Sequence, residues 1–509
     1  MKKFLAATLC AFTVAGANLL RAEDRSNDTL ERYANAQRIV ADAWAAVDPA
    51  GRLRSAANLR LVLRGKSYAR NQGLRPDGPP TETPIAWTEL LDLTGNRWSW
   101  QQVKEIGGGY RFDARVVSTP EKTFVANMLT KEFSAFTPPE NPDFPYRPLP
   151  AIILRRALQQ RRSLRWRGRQ PWDGRDHDVV DFAWNASATF ALYIDPATRL
   201  LSKFDLVQGD AAEGDDVLEG IFGDYRDAGG VRFPTKYVQR EGGKTTLELA
   251  YAEVAVDSPP AQREAFAVPA GFSEVSRSPH VTALAPGVFL LEDLGALYYY
   301  NVLFVEIDKG VAVFDAPLGD GVSRDVIKRI HQTLPNAPIR YLILSHYHDD
   351  HTAGIRPYVA EGATIVTTRG NQQFVERIAA VRPTVAAEPA SAAPVRPKFL
   401  FVDGEHTLRD SNHVVQIRKV GPMGHVAEML FLYLPLEKIV HQADLFSDFV
   451  PVNESMAWFY RQLESLRLPA GRITGVHMRT LEFRQYAAAM ESYKRGGGRQ
   501  TSKKTGATP

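Results

Sequence analysis

The stretch Tyr341-Leu342-Ile343-Leu344-Ser345-His346-Tyr347-His348-Asp349-Asp350-His351 decides how this chain is read. Its first four residues are an apolar run that predicts a short buried strand. The H-x-H-x-D-H cluster then falls in the loop leaving that strand, where α/β folds collect their binding groups. Three imidazoles and two carboxylates this close together are polar groups that a core could not satisfy cheaply. A bound metal is the simplest physical reason to gather them. His346 and His348 are two apart, so in an extended segment both point to one side and can share a cation. Asp350 and His351 follow after a turn and can face a second one.

Three later segments repeat the arrangement of apolar run followed by ligand. Val414-Val415-Gln416-Ile417 leads through Gly421 and Gly424 to His425. Lys438-Ile439-Val440-His441-Gln442-Ala443 ends at Asp444, and Arg472-Ile473-Thr474-Gly475-Val476 ends at His477. Chance produces one such placement easily, but three in order after the cluster are strong evidence for a site. Upstream, the runs at 288–291, 301–307 and 311–317 and a helix over 323–334 precede the strand that ends at Ser345. Strand, helix, strand with continuous apolar runs predicts an α/β layer.

The 509 residues exceed what one hydrophobic core usually supports, so two domains are expected. With 44% hydrophobic and 24% charged residues the composition is that of a globular protein, and a net charge of +4 is too weak to imply nucleic acid. Lys2 and Lys3 before the short apolar core Phe4 to Ala15 read as a secretory signal, cut after Ala17 or Ala22. The sole cysteine, Cys10, lies inside that signal, and Leu9 before it argues against a lipid anchor. The mature chain then carries no disulfide, and a bacterial periplasm is the expected address. The expected divisions are a signal at 1–22, a β-rich accessory domain at 23–275, a catalytic domain at 276–493 and a disordered tail at 494–509.

Asn27 to Ala46 has helical spacing. From Leu59 to Val256 the pattern changes to alternating, aromatic-rich segments broken by Gly, Asp and Pro, which predicts a large antiparallel sheet. Arg155 to Arg175 holds eight arginines and reads as a solvated helix running into a strand. The acidic run Asp210 to Glu219 reads as a loop. The strand texture lapses around Pro259 to Pro279, a candidate junction, and Pro383 to Pro397 reads as a flexible Ala/Pro-rich insertion. None of these N-terminal segments offers a catalytic cluster.

Two resemblances follow from these residues. In the N-terminal half, Ile194-Asp195-Pro196-Ala197-Thr198-Arg199-Leu200-Leu201 resembles the ID-x-x-T-x-L hairpin of periplasmic lipoprotein-sorting, half-barrel proteins. Asp224 to Asp227, then Gly230 to Thr235, is similar to the hairpin that follows it there. This implies a curved antiparallel sheet around a helix in an α+β domain, and it admits an acyl or lipid ligand there without establishing acyl-chain binding. From roughly Ala283 to Ser492 the chain resembles the metallo-β-lactamase fold superfamily. That resemblance implies a four-layer αβ/βα sandwich with a two-metal centre on one edge. Carried over by position, His346, His348 and His425 hold the first metal, Asp350, His351 and His477 the second, and Asp444 bridges both. Asp315 matches a buried aspartate that supports the metal-binding loop.

The donor chemistry suits two divalent ions, zinc first, with iron and manganese also admitted by the set. Two metals about 3.5–4 Å apart lower the pKa of a shared water to near 7 and generate hydroxide. In this reading the hydroxide attacks a carbonyl or phosphoryl centre while Asp350 orients it and carries its proton to the leaving group. No cysteine stands at Asp444, which removes one lactamase subclass, and His348 stands where oxygen-reducing relatives need an acid. Tyr347 replaces the middle histidine of the glyoxalase relatives. Met478 stands where relatives often have glycine, and is expected to reshape the pocket wall.

His177, His280, His331, His406, His413 and His441 lack ligand spacing, and His441 is expected to be packed inside a strand. Tyr298-Tyr299-Tyr300 fits a pocket lining or an ordinary aromatic cluster equally well. Trp458-Phe459-Tyr460 is expected to be helix packing. The expectation is an exported dinuclear-metal hydrolase acting on a small-molecule ester, lactone, amide or β-lactam, without a nucleic-acid partner. The alternative is a periplasmic lipid- or lipoprotein-binding protein with a secondary metal domain. The sequence sets no oligomeric state.

Overall fold

The computed structural model describes residues 28–496, apart from 107, 137–147, 186–187, 259–264, 296–298, 308–309 and 386–395. The signal segment, Tyr298, most of the Ala/Pro-rich insertion and residues 497–509 lie outside the described residues. Among those described, no helix is long and apolar enough to cross a membrane.

The alternating N-terminal segments pair into one sheet of fourteen strands. It is antiparallel throughout, except where Ser273–Glu274 runs parallel to Glu132–Phe136. Four strands matter for the site: β1 (Asn58–Tyr68), β2 (Glu82–Asp92), β3 (Arg97–Ile106) and β4 (Tyr110–Ser118). They are sheet neighbours in that order. The helix over 28–47 and the helix Pro150–Gln159 bury Ile39, Val40, Ile153 and Leu154 in a core shared with Leu61, Trp98, Phe182 and Leu192. Alternation puts each strand's large apolar residues on that inner face, and burying them drives the helices onto the sheet.

The arginine-rich stretch is a helix, a short 3-10 turn and the strand Arg165–Trp172, as its spacing predicts. Among the described residues three of its arginines meet acids: Arg167 pairs with Asp181 at 2.6 Å, Arg169 with Asp178 at 3.6 Å and Arg175 with Asp195 at 3.1 Å. The Asp195 turn joins Thr189–Ile194 to Leu201–Asp210, with the backbone amide of Ala197 donating to Asp195 Oδ1 at 2.7 Å.

The acidic run is not a loop. Only residues 211–213 turn, between the antiparallel strands Leu201–Asp210 and Gly214–Gly223. Two of the acids there are strand residues with cationic partners, Asp216 on Arg70 at 2.5 Å and Glu219 on Lys203 at 2.9 Å. Cross-sheet pairing of this kind is invisible to a reading of local charge.

From His280 the chain builds two further sheets. A seven-stranded sheet runs in chain order from His280–Ala285 to Lys398–Phe401, turning from antiparallel to parallel between Gly310–Phe314 and Ile339–Ile343. A six-stranded sheet follows from Glu405–Arg409 to Leu481–Glu482, with one parallel pair, Ile439–Gln442 beside Arg472–Gly475. Leu342, Ile343, Phe431 and Val440 belong to one common core between them. Helix Asp320–Thr333 packs on the first sheet through Val326 and Ile330. Helices Glu454–Leu466 and Phe483–Arg495 pack on the second through Phe459 and Tyr486, which completes the αβ/βα order. The last helix runs to Arg495, and Lys494, expected in a tail, pairs with Glu464 at 3.2 Å.

The fourteen-stranded sheet is seated on the edge of this sandwich that carries the histidine cluster. Tyr110 of β4 is buried in the sandwich core, with Ile106 and Phe112 packed against it. Leu74 O accepts from the backbone amide of Ala427 at 2.8 Å, Gly108 O accepts from Ser455 Oγ at 2.9 Å, and Glu132 pairs with Arg479 at 2.8 Å.

Candidate metal centre

The buried strand Ile339–Ile343 delivers the cluster as predicted, with His346, His348 and His351 fully buried at its end. The strand Val414–Val420 precedes His425, Ile439–Gln442 precedes Asp444 and Arg472–Gly475 precedes His477. All seven residues converge. Their ligand atoms form two groups, His346, His348, His425 and Asp444 in one and Asp350, His351 and His477 in the other, each with its atoms within 4.8 Å of one another. Asp444 faces both groups. Its Oδ2 stands 2.8 Å from His425 Nε2 and 3.7 Å from His346 Nε2, while its Oδ1 stands 3.1 Å from His351 Nε2 and 3.3 Å from His477 Nε2.

Four of the imidazoles, those of His346, His348, His351 and His477, are held from behind so that one nitrogen of each points inward. Asp315 is fully buried and accepts from Ser345 N at 2.7 Å, Ser345 Oγ at 2.8 Å and His351 Nδ1 at 2.9 Å. Ser345 Oγ accepts in turn from His346 Nδ1 at 2.9 Å, and Tyr299 O from His477 Nδ1 at 2.7 Å. His348 Nε2 donates to Gly73 O at 2.9 Å. The inward atoms His346 Nε2 and His348 Nδ1 are buried with no hydrogen-bond partner. A buried polar nitrogen without a partner is costly, and a cation is what a converging set of such nitrogens and carboxylates fits.

Protonation states agree for two of the imidazoles, whereas at His351 burial is outweighed by the Asp444 and Asp350 carboxylates, which push it well above the ordinary range. Burial pushes His346 well below the ordinary imidazole range, reinforced by the His348 and His351 rings, and burial beside His425 brings His348 down to about 3. Both are therefore neutral ligands at neutral pH. Burial opposes ionisation of Asp350 and Asp444, but the imidazoles of His351 and His477 hold both carboxyls well below the usual range. Asp349 differs: burial and the adjacent Asp350 charge raise it to about 7.

The expected roles of the other singled-out residues divide. Tyr300 lines the site, its hydroxyl donating to Asp350 Oδ2 at 3.2 Å, and Tyr299 stacks on Phe449 with ring centroids 4.7 Å apart. His441 is packed, with Nδ1 2.7 Å from Thr474 Oγ1 and its ring edge-on to Phe314. Phe459 and Tyr460 pack in their helix against Phe431 and Tyr486. Met478 does not reshape the pocket wall. It is fully buried beneath the site, where its sulfur accepts from Gln442 Nε2 at 3.2 Å.

The N-terminal sheet supplies what the sequence did not reveal. A cavity of about 250 Å³ opens on Asp350, His425, Asp444 and His477, and its far wall is built from Thr83 of β2, Lys104 and Ile106 of β3 and Tyr110 and Phe112 of β4. Gln72, just after β1, donates through Nε2 to Asp349 Oδ1 at 2.6 Å and Asp350 Oδ1 at 2.8 Å. The Tyr110 hydroxyl donates to the backbone oxygen of Asp444. Lys104 carried one readable signal, a cation at the inward parity of a strand whose other inward residues include Trp98, Trp100 and Ile106. Gln72 and Gly73 carried none.

Residues 296–450 match the family model described as the metallo-beta-lactamase superfamily. Among solved structures, a metallo-beta-lactamase from Pontibacter korlensis is 17% identical, covering 43% of this chain and 99% of its own, with a TM-score of 0.35. The FIM-1 enzyme from Pseudomonas aeruginosa in its mono-zinc form is 18% identical, covering 43% and 96%, with a TM-score of 0.33. The sec-alkylsulfatase Pisa1 from Pseudomonas sp. is 16% identical over 42% of each chain, with a TM-score of 0.31. Likenesses this distant carry no statement about substrate. Residues 296–450, which hold every residue of the two groups except His477, belong to the metallo-β-lactamase superfamily.

Proposed function

We propose that the chain is an exported hydrolase of a carbonyl-type small molecule, an ester, lactone, amide or β-lactam, working with two divalent ions, zinc by preference. His346, His348 and His425 would hold one ion and Asp350, His351 and His477 the other, with Asp444 between them. The observation that carries this reading is the pair of ligand groups sharing one carboxylate, each oxygen facing a different group. Bound there, such ions polarise a substrate oxygen and let water act as a nucleophile at neutral pH.

The chain's own groups supply the remainder. Asp350 is ionised, held by Gln72 and Tyr300, and open to the cavity. It can take the proton of the attacking water and pass it to the leaving group. Phe112, Phe446, Phe449 and Val450 present an apolar wall that limits water and strengthens the polar contacts inside.

The first 22 residues support export to a periplasm, and residues 23–275 read as a domain that belongs to the active site rather than an accessory to it. That sharing of one cavity disfavours the rival reading of a lipid- or lipoprotein-binding protein with an incidental metal centre. A hydrolysis screen of zinc-replete protein over β-lactams, lactones, aryl esters, thioesters and phosphodiesters tests the proposal. Turnover of a carbonyl substrate that vanishes in a folded Asp350→Ala variant is expected. Binding of acyl chains with no turnover of anything would favour the rival.

A further inference from the structure

Among the described residues lining the cavity, Lys104 is the one cation apart from the imidazoles. Its register neighbours are Ile85 on β2 and Phe112 on β4, and its Nζ stands 5.7 Å from the Phe112 ring centroid. No carboxylate comes within ion-pair distance of it among the described residues; Asp350 acts on it only from farther off. Lys104 and Ala69 also line a second cavity of about 210 Å³, inside the N-terminal sheet, with Trp87, Gln102 and Tyr237. Lys104 therefore lines both cavities, beside Phe112 of the apolar wall. A half-buried cation with no ion-pair partner among the described residues is costly, and an anion entering the cavity would relieve it.

We infer that Lys104 binds an oxyanion carried by the substrate, which makes the substrate class an amphipathic anion. Its scissile carbonyl lies at the ligand groups, its apolar body along Phe112 and Phe449, and its anionic end at Lys104. This deepens the hydrolase reading and rests on it. Lys104 is then a specificity-determining residue contributed by the N-terminal sheet.

The test compares 4-nitrophenyl hexanoate with mono-4-nitrophenyl adipate, which differ only in ending in a methyl group or a carboxylate. The wild type is expected to prefer the adipate ester in kcat/KM. In Lys104→Met that preference should fall by about tenfold or more, chiefly through KM, as loss of a hydrogen bond to a charged group implies. Lys104→Arg should retain it, and so should Lys66→Met, a change on β1 at an exposed residue paired with Glu82. Lys104→Gln gives the same reading where the methionine variant does not fold. An equal loss on both esters, or an unchanged preference, overturns the inference. If the wild type cleaves neither ester, the hydrolase reading has failed on these substrates, and calorimetric titration with octanoate decides the subsite separately. Weaker octanoate binding by Lys104→Met supports it, and equal or absent binding in both proteins overturns it.

Discussion

Gly73 and His348 are 275 positions apart, yet the Gly73 carbonyl accepts a hydrogen bond from His348 Nε2 at 2.9 Å. The same oxygen accepts from the Tyr347 hydroxyl at 2.6 Å. The loop after β1 therefore fixes which nitrogen of a cluster histidine faces inward, the task that Asp315 performs for His351. Outer partners of this kind set the tautomer and orientation of a ligand.

Gly73→Ala tests that link. A Cβ at Gly73 would lie 2.7 Å from the backbone oxygen of Pro79 and 3.3 Å from the Tyr347 hydroxyl, so the loop must shift and carry its carbonyl away. We expect metal affinity, read by chelator competition, to fall by about tenfold or more. Unchanged affinity in the folded variant would remove the loop from the site's machinery.

Gln72 bears on the reaction more than on the metals. Its amide bridges Asp349 and Asp350, and Gln72→Ala leaves both carboxylates without that donor. Turnover should drop by about tenfold, the cost of one hydrogen bond to a charged group, with metal content retained. Loss of metal in step with activity would show that Gln72 is merely structural.

Asp315 is the strongest support in the C-terminal half, since three donors converge on its buried carboxylate. Asp315→Ala orphans Ser345 and His351 together. A loss of about 10- to 100-fold in metal affinity is expected, with a lowered melting temperature in the metal-free protein. A variant matching the wild type in both would contradict this role.

Glu89 on β2 makes a prediction remote from the centre. It is fully buried, neither carboxyl oxygen has a hydrogen-bond partner, and burial raises its pKa well above 4.5. The folded chain thus keeps a proton that the unfolded chain releases above that value. The stability so conferred is complete below the unfolded pKa and is lost as pH rises through the folded one. Glu89→Gln should flatten the fall in melting temperature between about pH 5 and pH 8. At the upper end it should be the more stable protein, because the folded chain then has no raised carboxyl to keep protonated. Parallel curves for the two proteins would show that Glu89 is ionised in the fold.

What could be read in the sequence follows how local each signal is. His346 to His351 leave one apolar run and His425, Asp444 and His477 each follow another, so strand periodicity marked them as candidate ligands, while their meeting on one edge was what the family resemblance implied. Asp210 to Glu219 misled because its acids are met from outside the run, Asp216 by Arg70 in the turn after β1 and Glu219 by Lys203 on the neighbouring strand. Met478 was expected to reshape the pocket wall because relatives often have glycine there, but the chain buries its side chain against Gln442. Gln72, Gly73 and Tyr110 were unreadable because their roles exist only once the large sheet seats on the sandwich. No periodicity within β1 to β4 encodes that docking.

The seven residues are expected to hold two metal ions. Elemental analysis of protein purified with excess zinc and then desalted tests it most directly, for the wild type beside Asp444→Ala. About two equivalents per chain are expected for the wild type, falling well below that when the shared carboxylate is removed. A wild type without bound transition metal, or an Asp444→Ala variant with the same content, would contradict the account.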